Sequence, residues 1–145
     1  MTEKKKHKTH KACEKIKRHI DRHQYGTPFI VTPSIVLKWW HTLNSAVFEG
    51  KLMPPMKIVC RNFRDDAYGW CQPYVSGTDP DDRTLIEIGI RREQVDRKTF
   101  LTILAHEMVH QWQWVHKERL GHGKSFTKWK PILKQTVDIT LNSHL

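Results

Sequence analysis

Five residues, His106-Glu107-Met108-Val109-His110, have the H-E-x-x-H spacing that lets one helix present two imidazoles to a single ion. Residues i and i+4 lie one turn apart on the same helical face, so His106 and His110 can turn ring nitrogens to the same point. Glu107 projects beside them, close enough to reach a water held by that ion. Zinc would lower the pKa of such a water to about 7 and polarise a carbonyl. Glu107 would take the proton and deliver it to a leaving amine. With ten histidines in the chain, composition alone produces this pattern in roughly one chain of thirty. The surroundings argue against chance. The segment FLTILAHEMVHQWQWV is strongly apolar, and burying two His and a Glu within it is costly unless a shared metal satisfies them.

A catalytic zinc needs a third protein ligand and an open position. His116 lies six residues beyond His110, as the third ligand does in H-E-x-x-H-x-x-G-x-x-H proteins, but Gln113 stands where that pattern has glycine. A helix that continues through Trp112–Val115 carries His116 well over a turn past His110 and away from the ion, so it reads as a surface residue. His122, in Gly121-His122-Gly123, sits in a flexible loop that can return its ring to the metal. The spacing favours His106, His110 and His122 as ligands, with Glu107 as catalytic acid/base. Glu118 follows His110 too closely to come from a separate helix. Lys124 is a candidate oxyanion partner on proximity alone.

The elements that must position these residues are legible in outline. A helix from about Lys98 to His116 carries the motif, with Phe100, Leu101, Leu104, Met108 and Trp112 as core contacts. Thr32-Pro33 opens an earlier helix, as N-cap and first helical residue, and Gly50 is placed to end it. Its apolar positions are Ile35, Val36, Trp39, Trp40, Leu43, Val47 and Phe48. Met56–Cys60, Tyr68–Tyr74 and Thr84–Ile90 read as strands. A last helical segment covers about Ser125 to Val137, kinked or restarted by Pro131. Residues 1–10 lack apolar periodicity and read as a disordered arm. A thin stripe of Ala12, Ile16 and Ile20 suggests a weakly docking basic helix from Lys11 to about Gln24, punctuated by Tyr25-Gly26-Thr27-Pro28. The expected division is a basic, partly disordered arm over 1–25 and one domain over 26–145.

The chain of 145 residues is long enough for one core, and its 38% hydrophobic and 28% charged residues are ordinary for a soluble globular protein. No apolar run approaches the ~20 residues of a membrane span, and the polar N-terminus has no secretory h-region. Cys13, Cys60 and Cys71 form no CxxC pair, which argues against a disulfide framework and for a cytosolic, reducing compartment. The net charge is +10, and residues 1–25 hold nine Lys/Arg against Glu3, Glu14 and Asp21. A single-signed excess of this kind favours phosphate polyanions, because their neutralisation releases counterions. Lys4, Lys5, Lys6, Lys8, Lys11, Lys15, Lys17 and Arg18 are the candidate nucleic-acid contacts. A solubilising tail is the bland alternative.

HEMVH followed by Gly121-His122-Gly123-Lys124-Ser125-Phe126 resembles the SprT-like zinc metalloproteases, the family that includes Spartan and the bacterial SprT proteins. The resemblance covers about residues 32–130. It takes in the Trp-rich helix running into Leu43-Asn44, then Phe48-Glu49-Gly50-Lys51-Leu52 with Pro54, Gly69-Trp70-Cys71 and the strand Leu85–Ile90. It implies an α+β zincin-type domain, helices packed on a small sheet, with one zinc on His106, His110 and His122 and catalysis by Glu107. It also implies a protein substrate bound or crosslinked to DNA, with single-stranded or damaged DNA as partner and a DNA-associated location. Nothing corresponds to the zinc ribbon of many bacterial members or to Spartan's recruitment tails, so a minimal member is expected. The alternative is a DNA-binding or transcription-associated accessory protein with a structural zinc and little peptidase activity.

Overall fold

The computed structural model describes residues 3–22, 28–63 and 67–143. The turn expected at Tyr25-Gly26-Thr27 lies outside them. The N-terminal expectation is corrected: helix α1 runs continuously over Glu3–Asp21, where the first ten residues suggested disorder. The apolar stripe is thin but deep. Ile16 is fully buried and Ala12 nearly so, in a helix that packs mainly on α2, and Cys13 reaches the Ala46 carbonyl at 3.9 Å. That anchor fixes the middle of the helix, and propagation into the Lys-rich first turns then adds one hydrogen bond per residue ordered.

Helix α2 (Pro33–Val47) begins where expected, with the Thr32 hydroxyl accepting from the Ile35 N–H and Pro33 in the first turn. It ends by folding back: the amides of Phe48 and Gly50 both reach the Asn44 carbonyl, and Gly50 adopts a φ of 71° that favours glycine. The Asn44 side chain then pairs with both the N–H and the C=O of Leu52, fixing the exit.

Strand β1 (Phe29–Ile30) pairs antiparallel with β5 (Glu93–Gln94), a short two-stranded clasp that no sequence signal announced. The main sheet has the order β2-β4-β3. Strand β4 (Ile86–Arg91) is central, parallel to β2 (Lys57–Arg61) and antiparallel to β3 (Gly69–Pro73). Ile86, Ile88 and Ile90 point from β4 into the core with no exposure, as period-two alternation requires. Gly89 faces the other way, opposite Trp70. A Cβ there would fall 2.2 Å from the indole, so only glycine lets that ring lie flat across the sheet.

Helix α3 (Arg97–Val115) is capped by Asp96, whose carboxylate accepts from Thr99 N–H at 2.6 Å. It packs against β3 and β4 and also against α2, and so buries residues around most of its circumference. Phe100, Leu101, Leu104 and Met108 are fully buried, each contributing about 1.5–3 kcal/mol, while Trp112 is half-buried. The last helix is divided, as Pro131 suggested: α4 (Lys124–Thr127) and α5 (Trp129–Val137) meet at Lys128. Pro131 then occupies the first turn of α5, where an N–H needs no helical partner. Beyond Asp138, Ile139 and Leu141 are buried and draw the chain back along α3. The architecture is α+β. Among the described residues no helix is long and apolar enough to cross a membrane.

Candidate metal centre

The middle of α3 carries His106 and Glu107, each only 5% exposed, with His110 one turn on and half-buried. His106 Nδ1 lies 2.8 Å from the backbone oxygen of Asn142, an atom that can only accept. The proton of the neutral imidazole is therefore on Nδ1, and Nε2 keeps its lone pair. Burial holds the His106 pKa down at about 4, and His110 is lowered for the same reason, which maintains both neutral.

Gln113 fixes the second ring. Its Nε2 donates to the Gly121 carbonyl at 3.0 Å and to Ser125 Oγ at 2.8 Å, so its Oε1 is the acceptor for His110 Nδ1–H at 2.8 Å. The same oxygen stands 3.4 Å from the Gly121 N–H. One fully buried glutamine thus orients His110 and clips the next loop to α3. That loop carries His122, and Gly121 turns it at φ 143°, a conformation other residues rarely adopt.

The result is convergence. His106 Nε2 lies 3.2 Å from His110 Nε2 and 3.4 Å from His122 Nε2, and one ligand atom from each ring lies within 4.8 Å of the others. With both helix histidines protonated at Nδ1, His106 and His110 oppose two acceptors across 3.2 Å. Metal–nitrogen bonds of about 2.0–2.1 Å at tetrahedral angles place ligand nitrogens roughly 3.3–3.4 Å apart. The two separations from His106 are close to that spacing. Phe126, fully buried, packs against all three rings with centroids 4.8 to 5.3 Å away and forms an apolar floor. Among the described residues no other group of His, Cys, Asp and Glu converges in this way.

Glu107 sits at the mouth of this cluster. Its Oε1 is 3.9 Å from His106 Nε2, and its buried Oε2 has no hydrogen-bond partner among the described residues. Burial pushes its carboxyl up to about 8, and a neighbouring dication would favour the charged form again. Space for it is made by Gly69 of β3: a Cβ there would stand 3.5 Å from Glu107 Cγ and 2.8 Å from the Gly89 oxygen. Cys71, on the same strand, has its thiol pushed up by burial and by the charge of Glu107. Beside His110 opens a cavity of about 310 Å³ lined by Cys71, Pro73, Trp114, Leu120 and Gly121.

The other candidates fall elsewhere. His116 caps the end of α3, stacked on Trp112 with its Nδ1 at the Trp112 carbonyl, and is not part of the cluster. Glu118 pairs with Lys128. Lys124 is exposed in the first turn of α4. Of the basic residues on α1, Lys4, Lys6, Lys8, Lys11, Lys17 and Arg18 are exposed and Lys15 is half-buried, while the Lys5 side chain lies outside the described residues.

Gln113, Phe126, Gly69 and the Asn142 carbonyl were not identified from sequence as parts of the site. Gln113 had signalled only the lack of a glycine. A backbone carbonyl carries no sequence signal at all. No curated protein and no solved structure matches this chain. The profile of the SprT-like family matches residues 36–143, most of the chain and all of the histidine cluster, and the protein belongs to that family.

Proposed function

We propose that this protein is a zinc-dependent endopeptidase that acts on nucleic-acid-associated proteins. The observation that carries the reading is the buried, unpartnered Oε2 of Glu107 beside three converging imidazole nitrogens. A structural zinc site closes its coordination with a fourth protein ligand, and has no use for an orphaned carboxylate at its edge. Three converging imidazole nitrogens suit zinc, and family membership is in keeping with a metallopeptidase.

His106, His110 and His122 would hold the ion. When bound, zinc polarises the scissile carbonyl and makes hydroxide available at neutral pH. The remaining steps belong to the chain. The Asn142 carbonyl and Gln113 keep two ligands in the required tautomer. Glu107 orients the attacking water through its free oxygen, takes a proton from it and passes the proton to the departing amine nitrogen. Strand β3 is an edge of the main sheet, and its outer backbone groups offer an extended peptide a place to pair alongside Glu107. The apolar cavity next to His110 would accept one substrate side chain. The nucleic-acid part of the reading draws on the net charge of +10 and the concentration of that charge in α1.

The test is cleavage of an unstructured basic protein, with and without single-stranded DNA, by wild type and Glu107→Gln after zinc loading. The variant should retain one zinc per chain and lose cleavage by at least about a hundredfold, as expected for a general acid/base. Equal cleavage by the two proteins would refute the mechanism. Zinc binding without cleavage by either would instead favour a structural metal in an accessory protein.

A further inference from the structure

The cations of α1 are not spread evenly round the helix. Lys4, Lys8, Lys11, Lys15 and Arg18, with Arg22 in the turn that ends the helix, follow one another at alternating steps of four and three residues, which places all six on one side. From Lys4 to Arg22 the stripe extends about 27 Å along the axis. It borders the buried face of Ala12, Ile16 and His19 on the side toward α2. The helix's other described basic side chains differ in kind: Lys6 and Lys17 lie off the stripe and pair with Glu3 and Glu14. Among the described residues none of the six stripe cations has a carboxylate at ion-pair distance.

The stripe runs into a cleft of about 510 Å³ between α1, α2 and the start of α3. Lys15 and Arg18 line it from α1, Arg22 from the turn just after it, Lys38 from α2 and Arg97 from α3, with no acidic residue in its wall among the described residues. Aromatic rings hold three of these cations in place. Lys15 and Lys38 each set their ammonium 5.3 Å from the Trp39 ring, and the Arg97 guanidinium lies 5.3 Å from Phe29. His19 stacks on Trp39 at 3.9 Å, and its buried Nε2 has no partner among the described residues. Five like charges around one cleft repel each other, so the arrangement is most stable with an anion between them.

We infer that this stripe and the cleft it enters form a docking track for the sugar-phosphate backbone of a nucleic-acid strand. A small anion would fill the cleft but leave half of the stripe, Lys4, Lys8 and Lys11, without a counter-charge. A polymer charged at every unit matches cations of one sign repeated over that length. Tryptophan faces already covered by His19 and lysine leave charge, not base stacking, as the basis of recognition, so binding is indifferent to sequence. Arg97 stands nine residues before His106, about 14 Å along α3, which brings the bound strand near the metal centre. The inference rests on the nucleic-acid part of the proposed function and is independent of its peptidase part.

The test is fluorescence anisotropy of a labelled twenty-nucleotide oligothymidylate between about 50 and 200 mM salt. Arg18→Ala/Arg22→Ala, both exposed positions, should weaken binding by about tenfold or more and reduce the salt slope by roughly 1.4. Lys6→Ala/Lys17→Ala removes the same charge and should change affinity by less than about twofold. Circular dichroism and thermal unfolding check that both variants fold. Equal losses in the two variants would mean diffuse attraction and overturn the track while leaving nucleic-acid binding intact. Failure of wild type to bind would overturn both. Displacement of the oligonucleotide by inorganic phosphate, or by polyglutamate at equal charge concentration, would assign the track to another anion. Cleavage by the zinc-loaded protein and its loss in Glu107→Gln report on the peptidase reading separately.

Discussion

Gln113 offers the sharpest test of how the centre is built. Gln113→Leu keeps the side chain's bulk in a fully buried position but removes the acceptor of His110 Nδ1–H and the donor to the Gly121 carbonyl. Loss of such a ligand-orienting contact typically lowers metal affinity 10- to 100-fold, about 1.4–2.8 kcal/mol. The polar groups left without partners each cost the metal-free protein about 1–3 kcal/mol. Gln113→Glu separates the two roles, because a carboxylate still accepts from His110 but has no N–H for the loop. The expected order of zinc affinity is wild type and Gln113→Glu together, with Gln113→Leu at least about tenfold weaker. Both variants should unfold at lower temperature than wild type when metal is chelated. Competition against a chromophoric chelator measures the first quantity and thermal unfolding in excess chelator the second. A folded Gln113→Leu with wild-type zinc affinity would refute the orienting role. A Gln113→Glu as weak as Gln113→Leu would show that the loop clip, not the contact with His110, matters for the metal.

Two further outcomes follow from the geometry. His122→Ala should abolish stoichiometric zinc binding while His116→Ala retains it, since His122 Nε2 lies 3.4 Å from that of His106 and His116 is stacked on Trp112; metal content after gel filtration distinguishes them, and the reverse result would relocate the site. His19 should make stability sensitive to acid. Its folded pKa is lowered from 6.5 to about 4 by burial and by Arg97, Lys38, Arg22 and Lys15 around it. The unfolded chain therefore takes up this proton first, and the contribution present above pH 6.5 is lost as pH falls from there toward 4. The loss amounts to about 3 kcal/mol at 1.36 kcal/mol per unit. Urea unfolding at stepped pH should show it, and His19→Phe should flatten it; an unchanged profile in the variant would refute the assignment.

What the sequence determined is what local periodicity determines. The four-residue spacing of His106 and His110 puts both on one helical face whatever the rest of the chain does, and Glu107 comes with them. Thr32-Pro33 and Gly50 bound α2 through caps and turns that act within a few residues. Period-two patterning showed β4, though not its central place in the sheet or the pairing of β1 with β5. A helix from Lys11 is legible, but its extension back to Glu3 and its firm docking are not, because its anchor is a tertiary contact. Ala12 and Ile16 look too few until α2 supplies the surface against which Ile16 becomes fully buried. The same physics hid the supporting parts of the metal centre. Gln113 acquires its role only when the 121–125 loop folds back over it, Gly69 only when β3 crosses Glu107, and the Asn142 carbonyl only when the chain returns along α3. Ligand types and spacing on one helix are properties of a few consecutive residues. Their tautomers, their third partner and the packing around them are set by segments distant in sequence, so the tertiary structure decided them.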